Sequence, residues 1–278
     1  MGYFEVRSST AQNTKVLRPV MPQLSPRPNL HTATHLVYRR AKRFLANRID
    51  RQSYAHHQEL QDLPYTVFTH QSPLIRPFPG VSRGLMACKA KNLQRVAHAL
   101  DGLCLNPGDA FSFWRQVGPP TLARGYVPAL SLSEGRIHQQ IGGGICQASN
   151  LIFWMIAHSP LTILERWRHD YDIFADVGRT QPFGSGASLA FNHHDLRFIN
   201  QTAHTYQLRL WLTPTHLHGS LNCDAPMPNC IKVEERDHQI RDHGGGHFSR
   251  HNKLWRIQGD SPMLLVENNA VLLYEPLI

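Results

Sequence analysis

A chain of 278 residues with 41% apolar and 18% charged residues has material for one sizeable core, which excludes a disordered chain. No run approaches the roughly 18 to 20 uninterrupted apolar residues of a membrane helix, so a helical span is excluded too. The formal charge of +9 favours anionic partners over cationic ones.

Residues 1–30 carry Pro19, Pro22, Pro26 and Pro28 with few bulky apolar side chains, the composition of a flexible leader. Met1 to Val20 lacks the apolar block of a secretory signal, which points to a cytoplasmic protein. From Ala33 to Gln61, Leu36, Val37, Arg40, Phe44, Leu45 and Ile49 predict an amphipathic helix. Its outer face gathers Arg39, Arg40, Lys42, Arg43, Arg48 and Arg51, the pattern of a solvated basic face. No nucleic-acid motif accompanies them, so nucleic acid is not the expected partner. Tyr65 to His70 reads as a strand, after which Pro73, Pro77 and Pro79 break the chain.

Lys89 to Asp101 predicts a second helix, with Leu93, Val96, Ala97 and Leu100 on one face and Gly102 as its C-terminal cap. The turn Leu105 to Asp109 launches an aromatic run, Ala110 to Trp114. Beyond residue 160, Leu161 to His169 predicts a strand on which Leu161, Ile163, Glu165, Trp167 and His169 share a face. Leu196 to Ile199, Tyr206 to Leu212 and Leu217 to Leu221 predict antiparallel strands. Ile231 to Glu235, Lys253 to Ile257 and Met263 to Tyr274 extend the sheet. Helices first and strands after predict an α+β fold, with N-terminal helices and a buried cysteine-bearing helix packed on a mainly antiparallel sheet.

The most informative stretch is Gly142-Gly143-Gly144-Ile145-Cys146-Gln147. Three glycines allow a turn that a Cβ would block and leave main-chain N–H groups uncovered. Ala148, Leu151, Ile152 and Met155 then recur at helical spacing until Ser159-Pro160 stops them. Cys146 therefore falls in the first turn, where free N–H groups and the helix dipole favour a thiolate. The five cysteines are an odd number in a long chain, so no disulfide framework is expected.

Taken together, Pro107 to Trp114, Val117-Gly118, Gly125-Tyr126, Gly142 to Ser149, Ser159 to Ile163, Glu165-Arg166, His169 and Asp195 to Asn200 resemble the VanW family. The likeness runs over about residues 80–222. That leaves residues 31–79 as an N-terminal arm of helix and strand, and residues 223–278 as a strand-rich extension packed on the core. The resemblance implies an association with glycopeptide resistance or cell-wall metabolism, and a peptide or peptidoglycan-precursor substrate. By likeness to larger exported VanW-domain proteins that act as cysteine-dependent L,D-transpeptidases, it implies Cys146 as nucleophile and His169 as base.

Such acyl transfer needs oxyanion donors and an orienting acid. Gly142, Gly143, Gly144 and Gln147 supply candidate amides, and Gln139 and Gln140 lie just before them. Glu165 and Arg166 are candidates for an ion pair or a clamp on a substrate carboxylate. Glu165 lies about 13 Å along a strand from His169, too far for a direct bond. Many family members carry an aspartate aligning near Gly186, where this chain has glycine; Asp170, Asp172, Asp176 and Asp195 are the substitutes. Asp237, His238, Asp242, His243, His247 and His251 have metal-ligand chemistry. Gly244, Gly245 and Gly246 interrupt any helix there, so a mobile loop over the cysteine is expected and neither metal nor cofactor is. The competing reading is a non-catalytic accessory protein that binds an anionic ligand and merely packs Cys146.

Overall fold

The computed structural model describes residues 41, 43, 45, 48–75, 83–133, 136–172, 180–227 and 230–276. The expected leader lies outside them, as does Asp176. Four antiparallel assemblies account for nearly all strand pairing. The first sheet has the order β1-β10-β9-β2, built from Tyr65–Pro73, His216–Cys223, Tyr206–Leu212 and Leu103–Leu105. The second has the order β11-β12-β13-β7, from Ile231–Asp242, Phe248–Gln258, Ser261–Leu272 and Tyr171–Asp172; β7 joins it in parallel. Ala110–Ser112, Arg197–Ile199 and Thr162–Glu165 form a small sheet, β3-β8-β6. Pro128–Ser133 and Arg136–Ile141 form the ribbon β4-β5. The result is α+β with sheet dominating.

Helix α1, Arg83–Leu100, covers the stretch expected from Lys89 but starts six residues earlier. Leu93, Val96 and Leu100 are fully buried, and Gly102 follows with φ +81°. A five-residue helix α2, Phe113–Val117, is capped by Ser112 Oγ, which accepts from Arg115 N. Helix α3, Cys146–Ala157, buries more than the expected stripe: Ala148, Ser149 and every residue from Leu151 to Ala157 are buried. Such all-round burial marks a helix enclosed by the core rather than lying on it. Gly219 of β10 admits it, because a Cβ there would meet Leu151 Cδ2 at 2.5 Å and Met155 Cε at 2.9 Å. Leu93, Leu151, Leu208 and Leu221 meet in the same core, each contributing about 1.5–3 kcal/mol on burial.

Two elements differ from their sequence patterns. Ala41, Arg43, Leu45, Arg48 and Ile49 are helical, but the chain leaves the helix at Asp50 rather than Gln61. Asp50 accepts from the Gln52 amide and the Tyr54 hydroxyl, and the next residues run extended beside β3 and β2. Ala55 N donates to Ala110 O, and Cys104 N to His57 O, both at 2.9 Å. Satisfying those strand edges outweighs continued helix. Second, β6 stops at Glu165 after a register shift between Ile163 and Glu165, so His169 lies beyond the strand. The histidine-rich stretch is not a loop over the cysteine. It is the end of β11, a turn from His243 to His247, and the start of β12, with positive φ at all three glycines.

Candidate functional site

The glycine turn joins β5 to α3, and each glycine meets a different constraint. Gly142 and Gly144 adopt φ +77° and +86°. Gly143 has no room for a side chain: a Cβ would lie 2.1 Å from the Ala129 carbonyl of β4. Asn92, buried on α1, locks the turn by donating through Nδ2 to Val127 O and Gly143 O while accepting from Val127 N, all at 2.9 Å. Asn92 lies outside the glycine motif, and its one sequence signal is a polar residue beside Leu93 on an otherwise apolar face.

Several of the expected oxyanion donors are already engaged. Gly142 N donates to Val127 O, Gly143 N to Gln140 O, Ile145 N to Gly142 O and Gln147 N to Gly144 O. The N–H groups of Gly144 and Cys146 have no hydrogen bond to another residue among the described residues. The Gln147 side chain points away from this work, donating to Ser72 Oγ at 2.7 Å and Pro73 O at 2.9 Å and so tying α3 to the end of β1. Gln139 and Gln140 lie exposed on β5, and Gln140 pairs with His138.

Cys146 is partly exposed as a residue, and its Sγ makes a long 3.9 Å contact to Leu189 O. Burial of the sulfur raises the thiol above its ordinary value, and main-chain hydrogen bonds at Leu189 and at Cys146 itself offset only part of that. The thiolate expected from the helix start is therefore not the resting form. A helix terminus contributes about 0.3–1 kcal/mol, less than one pKa unit, whereas desolvation can move a buried group several units.

The segment 186–189 bridges the cysteine helix and the stretch bearing His169. On one side Ser149 Oγ donates to Ala187 O and Ala187 N donates to Asn150 Oδ1. On the other, Ser188 N donates to Trp167 O, and Arg166 Nε to Gly186 O. No imidazole is hydrogen-bonded to Cys146 among the described residues. Burial and Arg168 lower the pKa of His169, while Asp170 pulls it upward. Asp170 is the next residue in the chain, and no hydrogen bond joins it to this imidazole among the described residues. Asp172 instead lies 3.9 Å from Arg250. A Cβ at Gly186 would meet Asn150 Oδ1 at 2.5 Å, so an aspartate there would push that side chain off the Ala187 N–H it accepts from.

Glu165 and Arg166 do not pair with each other. Glu165 Oε2 accepts from Arg43 at 2.6 Å, and its Oε1 accepts from Trp167 Nε1 at 2.7 Å and from Asp195 N at 3.2 Å. Asp195 in turn accepts from Ser112 Oγ at 2.6 Å and from Trp114 N. Arg166 donates to Gly184 O, Gly186 O and Asn268 Oδ1, and burial brings its pKa down to about 9. Both side chains are occupied by the fold's own groups. Beside this cluster stands His194, stacked on Trp167 at 4.3 Å and held to about 4 by burial and by His193. Sequence spacing offered no hint of it. The histidines of the 237–251 stretch are dispersed: His238 accepts from Arg250, and His251 reaches Asn268 O and Glu267.

Fold and site together define an α+β protein whose central feature is a thiol on a glycine-launched core helix. The chain belongs to the VanW family: the family model described as VanW like protein matches residues 88–222. It is similar to the vancomycin B-type resistance protein VanW of Enterococcus faecalis, 31% identical over 212 residues, covering 76% of each chain. It is also similar to an uncharacterized protein of Bacillus subtilis, YoaR, 31% identical over 113 residues, or 41% of this chain and 36% of that one. This chain thus matches only about a third of YoaR. No solved structure matches. No helix among the described residues is long and apolar enough to cross a membrane.

Proposed function

We propose that the chain serves cell-wall chemistry connected with glycopeptide resistance, as a thiol acyltransferase whose nucleophile is Cys146. The supporting observation is a thiol at the start of a core helix beside a Gly144 N–H that has no hydrogen bond among the described residues, with the Cys146 N–H bonded only to its own sulfur. An oxyanion needs such donors held in place before charge develops. In this reading a base takes the thiol proton and sulfur adds to an acyl carbonyl. The leaving group departs, and an amine or water resolves the thioester. His169, its pKa lowered by burial, is the base.

A second reading, an accessory protein that binds an anionic ligand, draws support from the raised thiol and the lack of a bonded imidazole. Reaction with p-nitrophenyl acetate separates the two. Acyl transfer predicts about one equivalent of nitrophenolate released in a burst, an acetyl group on Cys146 by mass spectrometry, and a slower burst in His169→Ala. Acetylation confined to the exposed Cys230, with Cys146 unmodified in folded protein, leaves the accessory reading standing.

A further inference from the structure

At the opposite end of α3 the two large sheets approach without joining. Among the described residues β1 pairs only with β10, and β11 only with β12, so each presents an outer edge. A cleft of about 570 Å³ lies between these edges, with Thr66, Val67 and Phe68 on one side and Ile231, Lys232 and Val233 on the other. That volume falls within the range of about 300–1,000 Å³ of ligand sites. On β11 three residues of strand span about 10 Å, enough to pair three or four residues of a guest, whereas on β1 the bulge at Val67 shortens the regular edge. An outer strand carries unpaired N–H and C=O groups, which makes it a template for another strand. Two such edges facing one cleft offer partners along both sides of an extended chain.

The lining also selects. Val67, Phe68, Ile231 and Val233 are apolar, and among the described residues Lys232 is the only lysine or arginine lining the cleft and no aspartate or glutamate does. His158 completes it, its ring stacked on Phe68 at 4.0 Å. Its Nδ1 lies 2.9 Å from Trp154 O, and a carbonyl only accepts, so Nδ1 carries the proton and Nε2 is the ring's acceptor.

We propose that this cleft binds a short extended peptide bearing a carboxylate, added as a strand between β1 and β11 with its anionic end on Lys232. The site is separate from the thiol: His158 follows the last turn of α3, about 18 Å along the helix from Cys146. The proposal therefore does not rest on acyl transfer.

Cys230 lines the cleft and is exposed, which makes it a built-in reporter. With the full chain, the probe peptide acetyl-Val-Thr-Val-Ala should slow iodoacetamide labelling of Cys230 saturably. It should also protect the amides of Thr66–Phe68 and Ile231–Val233 from hydrogen exchange. C-terminal amidation of the peptide, or Lys232→Gln on the exposed strand, should weaken the effect roughly tenfold, and N-methylation of alternate peptide amides should abolish it. The idea is overturned by absence of saturable protection at millimolar peptide. It is equally overturned by protection that survives N-methylation, by undiminished binding in Lys232→Gln, or by the same protection from inorganic phosphate alone.

Discussion

One methyl group decides the geometry around the cysteine. At Gly143 a Cβ would press into the Ala129 carbonyl at 2.1 Å, and backbone on β4 cannot rotate away as a side chain can. Gly143→Ala is expected to cost about 1–3 kcal/mol, the usual range for overpacking, seen as a lower urea midpoint. Asn92→Ala acts on the same turn from the other side. It strips the Gly143 carbonyl and the Val127 N–H of their partners and leaves the Val127 carbonyl only the Gly142 N–H, and should cost about 2–3 kcal/mol. If Asn92→Ala leaves the urea midpoint unchanged, the turn is held by something other than this side chain. At this scale the thiol, too, is governed by its packing: the field of a helix start is present but smaller than the cost of burying charge.

Helix α3 is held at both ends by other elements. Gln147 ties its first turn to β1, and Arg256 of β12 caps its last, donating to Ile156 O, Ala157 O and Leu161 O at 2.9–3.1 Å. Ile156 O also accepts from Ser159 N and Oγ, Ala157 O ends the helix and Leu161 O lies beyond it, and the guanidinium meets the negative end of the dipole. Burial lowers the pKa of Arg256 to about 10, which still leaves it charged at neutral pH. Arg256→Met should lose on the order of 3 kcal/mol, with Arg256→Lys between the two, because an ammonium cannot span three acceptors as a planar fork does. Denaturant unfolding measures the loss, and faster hydrogen exchange at residues 156–161 locates it. β6 carries a related lesson: Glu165 and Trp167 touch as alternation requires, but the strand ends between them.

Across the whole molecule, the second sheet is wired into the family core. Arg256 caps α3, and Asn268 receives Arg166 while donating to Asn252. A chain cut after Asp224 should therefore show no cooperative thermal transition; a sharp one would mean that the sheet is dispensable. Acid sensitivity is also a global property. His70, His158, His169 and His194 all have pKa values lowered chiefly by burial, His194 from 6.5 to about 4. Below pH 6.5 the unfolded chain takes up protons that the folded chain refuses. Their contribution is complete above pH 6.5 and is lost as pH falls toward 4. Asp195, raised by burial, works in the opposite sense. The melting temperature should fall over that window, and His194→Gln should flatten the fall.

Local pattern alone determined a good deal: the core face of α1, strand β9 to the residue, the glycine turn, and Cys146 in the first turn of its helix. These follow from steric limits and apolar periodicity within a few residues, which act wherever the segment lies. The exit from the first helix at Asp50, the end of β6, and the separate partners of Glu165 and Arg166 were decided by tertiary structure. So were the length of β11 and the cap from Arg256. Each depends on which donor, acceptor or bulk arrives from tens of residues away. Spacing shows that a polar side chain is available; only the folded neighbourhood determines what it bonds.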